Sequence, residues 1–419
     1  MIKKILKSEF NRNVLTLLTG TTLAQAIPFL IAPILTRIFS PEDFGILAAF
    51  IAVFTVFSTF ITLKYDQVII LPKSDKEAFN LLSLTVGIVL LLSILFFGIF
   101  LVFQTEINKL FDSSKMGNIL LLVPLSLLFF GIYRAFYYWF NRRKKYRSIS
   151  GNTILRSTSI SGSKVIFGFL KTPGGLVLGT ILGQFLSAFF FVIISIKDIS
   201  TFSKELSFSG IKIQAKKYSH LALTLIGSNG IQNVYTQIPI FFIGNVFGMG
   251  ILGFVSLAQR LVTTPVSIIA NAIGDVFRQQ ATDEFNNSGH FEKIFISTLK
   301  KTFFISIIPF LLLYFFAPEL FALWLGEEWR IAGEYAQIII VGRFFSFIFT
   351  PLDKSSLIRQ KKSYIFLWNV SRFVANVAIV AIAIFFNTSV EMYLWMLVSI
   401  RIIHYFIDAV FCYRFSLGK

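Results

Sequence analysis

The sequence predicts an all-α polytopic membrane protein, with about twelve transmembrane helices arranged as two six-helix lobes. Three observations carry that expectation. Hydrophobic residues make up 55% of the 419 residues against 14% charged, and the mean hydropathy is +0.74, which places the chain among polytopic membrane proteins and leaves no part that needs a soluble domain. Apolar runs long enough to cross a bilayer follow one another with short loops between. The lysines and arginines in those loops alternate between two sides.

The runs lie near 14–38, 44–63, 78–103, 117–140, 148–170, 175–196, 218–243, 250–274, 298–317, 334–352, 364–386 and 391–413. The basic start, MIKKILKSEFNRN, precedes an apolar stretch of bilayer length with no small-residue cleavage site, so it is expected to stay as an uncleaved first span. That span holds Gln25, Pro28 and Pro33 in its interior and ends in Arg37, before a turn on Ser40 and Pro41. Polar and helix-breaking residues persist in a span only where protein or water satisfies the backbone. The helix is therefore expected to line a hydrated space, with hinges at Pro28 and Pro33 and with Arg37 as a gate or turn anchor facing Glu42 and Asp43.

The second and third spans are apolar and flank a loop containing Asp66. In the fourth, Arg134 lies about two turns from the Arg142–Arg147 cluster and is expected to snorkel toward it. The fifth carries Arg156 and Lys164 among Ser150, Thr153, Ser157, Thr158, Ser159, Ser161 and Ser163, too polar a set to face lipid, and reads as cavity-lining. In the sixth, Gly175, Gly179, Gly183 and Ser187 recur every fourth position and form a flat face for close helix packing. The longest connection, 201–217, separates an N-terminal lobe, 1–200, from a C-terminal lobe, 218–419. A faint repeat joins the halves, Gly20 and Gln25 matching Gly227 and Gln232.

The seventh span supplies neutral hydrogen-bonding groups suited to sugar hydroxyls: Asn229, Gln232, Asn233, Tyr235, Thr236 and Gln237. Arg260 sits in the eighth, Arg343 in the tenth and Arg372 in the eleventh. In the twelfth, Arg401, His404 and Asp408 share a face at spacings of three and four, a pattern that fits a salt-bridge network as well as a ligand site. The acid-rich patch of Glu319, Glu327, Glu328 and Glu334 around Trp324 and Trp329 reads as an interfacial segment.

Loops on the side of the N-terminus hold 27 of the 39 basic residues and opposite loops hold 5, a bias that puts both termini in the cytoplasm. The net charge of +18 is therefore chiefly a topology signal, and no nucleic-acid partner is expected. Gly248, Gly250 and Gly253 spell G-x-G-x-x-G, but at a helix-to-helix turn with no preceding strand; Gly162-Ser163-Lys164 lacks the first glycine of a phosphate loop. The lone Cys412 builds no metal site. No cofactor or catalytic group is expected.

Seven cations remain inside the spans: Arg134, Arg156, Lys164, Arg260, Arg343, Arg372 and Arg401. Facing lipid, they would cost roughly 20 kcal/mol together, more than the net stability of most folds. They are expected to face a hydrated interior. Acids at that depth are nearly absent, so the interior suits an anion, and arginine's planar fork suits phosphate oxygens. Phosphate together with sugar, handled in a membrane without ATP, points to a lipid-linked saccharide. Asp66, Asp275, His404 and Asp408 are the candidates for ion coupling.

The stretches APILTRIFSPEDFG (Ala32–Gly45), KYDQVIILPKSDKEA (Lys64–Ala78), GNVFGMGILGFVSLAQRL and LFALWLGEEWRIAGEYAQIIIVGRF, on a twelve-span layout, resemble the polysaccharide or O-antigen flippases of the multidrug/oligosaccharidyl-lipid/polysaccharide exporter superfamily. The resemblance implies two six-helix bundles around a central cavity. It also implies outward passage of an undecaprenyl-diphosphate-linked oligosaccharide across the bacterial inner membrane by alternating access, with a polysaccharide polymerase and chain-length machinery as partners beside membrane lipids. Lipid II flippases of the superfamily usually carry two further spans, so a chain ending at Lys419 is expected in the oligosaccharide branch. Drug efflux is the alternative transport reading, disfavoured because cationic drugs call for acids. A membrane glycosyltransferase or polymerase is a third, disfavoured by the short outer loops.

Overall fold

The computed structural model describes residues 9–109 and 114–418, and the regular secondary structure among them is entirely helical. Twelve long helices follow in order: α1 (Glu9–Ile38), α2 (Pro41–Ser58), α3 (Asp75–Val102), α4 (Val123–Arg142), α5 (Tyr146–Phe169), α6 (Gly175–Ile194), α7 (Phe208–Val246), α8 (Gly248–Ser288), α9 (Glu292–Leu325), α10 (Arg330–Phe349), α11 (Lys362–Phe385) and α12 (Val390–Ser416). Each corresponds to one expected span. Among the described residues, ten helices are long and apolar enough to cross a membrane. The two of the twelve that fall short are α5 and α7, which are long enough, but the hydroxyls of one and the amides of the other lower their hydropathy.

Several helices outrun the bilayer. At 41 residues for α8 and 34 for α9, a rise of 1.5 Å per residue gives about 60 and 50 Å against a hydrocarbon core of about 30 Å. The same extension reshapes the expected 201–217 loop. Its residues instead end the short helix Ile196–Phe202, form a single 3₁₀ turn at Ser203–Glu205 and begin α7, where Lys212, Lys216 and Lys217 are good helix formers in water. The chain divides into two compact units, the first ending at Gln237 and the second running Ile238–Lys419, so the division falls inside α7.

Local signals set the helix starts. Ser40 and Asp43 form a reciprocal capping box at the head of α2, with Pro41 in the first turn. Ser74 and Ser389 accept from the third backbone N–H of α3 and α12. Gly326, at φ +114°, makes the turn between α9 and α10 in a conformation open to glycine.

In the first unit α5 packs on α1 and α6. A Cβ on Gly179 would lie 2.7 Å from the Lys164 backbone nitrogen, and one on Gly183 would lie 2.6 Å from that of Ile160. The small-residue face of α6 thus brings two backbones together, and its fourth member, Ser187, exchanges hydrogen bonds of 2.8 and 3.0 Å with Asn152. On the other side of α5, Gly20 leaves room for Ser150, whose hydroxyl donates to the Thr16 carbonyl at 3.1 Å. Proline at 28 has no N–H to offer the carbonyl four residues earlier. That carbonyl, on Ala24, accepts from the Ser157 hydroxyl. Ser150 and Ser157, expected to line a cavity, therefore bind the backbone of α1.

In the second unit α10 lies against α8, α9 and α12. Here the same device recurs. Pro318 frees the Tyr314 carbonyl, which accepts from the Gln337 amide at 2.8 Å, and Gly333 lets α10 close on α9, where a Cβ would meet the Pro318 Cα at 2.5 Å. Aromatic residues fill the cores: Trp139, Phe140, Phe79 and Phe191 in the first unit, Phe277, Phe291 and Phe295 in the second.

Candidate functional site: the intramembrane cations

The expected site residues fall into distinct environments, three in the first unit and three in the second. In the first unit Arg134 donates to Asp66 through Nε at 3.0 Å and approaches it through Nη2 at 2.9 Å, and Thr62 donates to the other carboxylate oxygen at 2.7 Å. Its guanidinium also lies 4.9 Å from the Tyr138 ring. The expected snorkelling toward Arg142–Arg147 is not what holds it. That cluster is occupied by other acids: Arg142 and Arg143 bind Asp75, and Lys145 binds Asp198 at 3.1 Å. Asp198 also accepts from the Trp139 indole, and although burial opposes it, these bonds hold its carboxyl below the usual value. Burial lowers the Lys64 amine beside the Asp66–Arg134 pair, and Lys64 itself sits at φ +60°.

Arg156 is half-buried over aromatic faces, 4.8 Å from the Tyr133 centroid and 5.7 Å from that of Phe130. The rings shield its sides while leaving the guanidinium edge to donate. Lys164 differs: it is 4% exposed, with its stem against Gly179. The glycine face of α6 closes on it.

In the second unit, Arg343 of α10 and Arg401 of α12 line one cavity of about 40 Å³ with Ser256 and Gln259 of α8 and Tyr405 of α12. Arg401, His404 and Asp408 do not form the single network their spacing allowed. His404 turns to the Ile400 carbonyl at 2.8 Å, to Ser371 at 3.5 Å and to the Trp368 ring. Asp408 accepts from the Tyr364 hydroxyl and lies 3.8 Å from the Cys412 sulfur. Arg372 stands 5.5 Å from the Trp368 centroid and feels both Asp408 and Asp353. An arginine that lacked an acid nearby in sequence thus acquires two through the fold. Asp353, in the connection after α10, is pushed up to about 6 by burial, with Asp408 adding to the shift and Lys354 opposing it from 3.5 Å.

Arg260 of α8 is exposed and has no ion-pair partner among the described residues. Of the expected sugar-contacting groups, Gln232 is exposed and Gln25 half-buried. Asn233 donates to Thr59 at 2.7 Å, and Gln237 is buried and donates to Thr236 at 3.0 Å. The side chain of Asn229 lies outside the described residues. Pro28 and Pro33 sit inside α1 as expected, but Arg37 donates back to the Pro33 carbonyl at 2.7 Å while Asp43 is committed to Ser40. Arg37 is therefore an anchor of its own helix end and not the partner of Asp43. Asp275 is 70% exposed, 3.9 Å from Arg278.

A model of the family described as "Polysaccharide biosynthesis protein" matches residues 34–333. The chain belongs to that family. It is 22% identical over 389 residues to the "Succinoglycan biosynthesis transport protein ExoT" of Rhizobium meliloti (strain 1021), covering 90% of this chain and 74% of the relative. Its fold is similar to that of a "Lipid II flippase MurJ" in an inward closed conformation, with TM-score 0.74 at 16% identity, covering 97% of this chain and 90% of that one. It is similar also to an inward-facing multidrug resistance MATE family transporter of the MOP superfamily, with TM-score 0.62 at 14% identity over 96% and 95% of the two chains. The chain is thus a multi-pass membrane protein with the two-lobed fold of those structures.

Sequence reasoning missed Tyr133, Tyr364, Asp353, Gln259 and Tyr405 as companions of the cations. Tyr405 carried a signal, four residues from Arg401 on one helix face; Tyr133 and Gln259 reach their cations from other helices, and Asp353 does so from the connection after α10.

Proposed function

We propose that this protein moves an undecaprenyl-diphosphate-linked oligosaccharide, an O-antigen or other surface polysaccharide repeat unit, from the inner to the outer leaflet of a bacterial cytoplasmic membrane. It works by alternating access with both termini in the cytoplasm, and it is a transporter rather than an enzyme. Family membership and the transport name of the curated relative support the class. The observation that carries the substrate is Arg260, a cation in a membrane helix, exposed and with no acid against it among the described residues. Arg156 adds a second available cation in the other unit, edge outward from its aromatic faces. Gln25, Gln232 and Asn233 are the amides offered to sugar hydroxyls. A charge kept in a span without a partner marks a substrate path, and arginine's planar fork suits the oxygens of a diphosphate.

An inside-negative potential favours outward transfer of an anion by about 2.3 kcal/mol per charge per 100 mV, so the potential, or an ion gradient, supplies the drive. Losing one charge-assisted contact worth about 2 kcal/mol lowers binding roughly thirtyfold. Arg260→Ala in a deletion strain is expected to leave protein levels intact, to strand lipid-linked units on the inner leaflet and to abolish surface polymer, with Arg260→Lys in between. Normal polymer in Arg260→Ala would remove the residue from the path. Collapse of the potential at constant pH gradient distinguishes the two drives.

A further inference from the structure

The cavity shared by Arg343 and Arg401 is unlike the settings of the other cations. Arginine stays charged in proteins, so two positive charges face one small cavity lined from α7, α8, α10 and α12. No aspartate or glutamate lines it, and neither guanidinium has an ion-pair partner among the described residues. The remaining wall is apolar, from Ile240, Ile243 and Leu252 to Leu394 and Leu397. Two like charges against such a wall repel each other and lack the solvation that would compensate. Ser256, Gln259 and Tyr405 bring neutral donors to the same space.

Volume decides what can enter. A cavity of about 40 Å³ has room for roughly three water-sized particles. A monovalent ion with a water or two matches that space. We propose that this pocket holds a resident small inorganic anion, of the size and charge of chloride, bridging Arg343 and Arg401. The anion takes the place of the missing carboxylate and holds α10 to α12 inside the second unit. The inference does not depend on what the protein transports, and it separates these two arginines from those offered to the diphosphate.

The test uses the full-length protein in detergent, melted in sodium chloride and in sodium gluconate at equal ionic strength, gluconate being too large for the cavity. The midpoint is expected to be higher in chloride and to rise with its concentration as for a ligand bound by the folded state. Arg343→Gln and Arg401→Gln are each expected to weaken the chloride effect about tenfold or more, as loss of a charge-assisted contact does. Bromide should give an anomalous scattering peak between the two side chains. Equal midpoints in the two salts for the unaltered protein would overturn the proposal, with no variant needed. A chloride effect that persists at full strength in both variants would overturn it too. So would displacement of bromide by a short lipid-linked diphosphate, which would give the pocket to the substrate; a failure of Arg260→Ala to block export would leave this proposal standing.

Discussion

At the scale of single residues, the difference between a paired and an open cation decides what each substitution does. Asp66 is 1% exposed and has both carboxylate oxygens engaged, by Arg134 and by Thr62. Removing one partner of such a pair leaves a charge buried and costs about 3–5 kcal/mol, while neutralising both costs much less. Arg134→Met is expected to lower the melting temperature strongly, and Arg134→Met with Asp66→Asn to recover most of the loss. Equal effects of the single and double variants would show that the bridge is not what the fold needs. Asp353 gives a pH dependence outside the spans. Its carboxyl is raised to about 6 against an ordinary value near 3.9, so the folded state holds the proton more tightly than the unfolded one. Its contribution is fully present below pH ~4 and is lost as pH rises to about 6. Asp353→Asn is expected to flatten the melting curve over that window and to raise the midpoint at pH 7.5. Because the side chain keeps 42% exposure, solvent screening makes the effect modest.

At the scale of helices, the recurring motif is a proline whose orphaned carbonyl is satisfied from the neighbouring helix: Ala24 by Ser157, Tyr314 by Gln337. Each bond depends on its proline. Ser157→Ala is expected to cost about 1 kcal/mol in the native background and almost nothing in Pro28→Ala, where the helix recovers its own N–H donor. A double-mutant cycle on melting temperature measures the difference, and additive effects would show that Pro28 and Ser157 act separately. If Pro28 and Pro33 act as hinges for the C-terminal half of α1, replacing both by alanine is expected to impair polymer export more than membrane insertion. The glycine face of α6 is the converse case. Gly183→Leu drives a side chain into the Ile160 backbone and is expected to abolish folded protein.

At the scale of the whole molecule, the distribution of basic loops makes a topological prediction. In a Cys412→Ser background, cysteines placed at Lys144 and Gln360 should react with a membrane-impermeant reagent from the cytoplasmic side, and one at Gly326 from the outside. Labelling of all three from one side would refute the twelve-span reading. The long helices, the turn at Ser40 and Pro41 and the packing role of the α6 glycines were legible in the sequence. They rest on hydropathy, charge and residue size repeated along one segment, which act locally or against the bilayer. The pairing of the cations was not legible. Arg134 meets an acid 68 residues away, Arg372 is brought near Asp353 and Asp408, and Arg343 meets another arginine and no acid. Depth in the membrane follows from where a residue falls in an apolar run, so the sequence by itself determined which charges lie in the spans. Which of them are neutralised depends on helix rotation and on neighbours distant in the chain, and only the tertiary structure decided that.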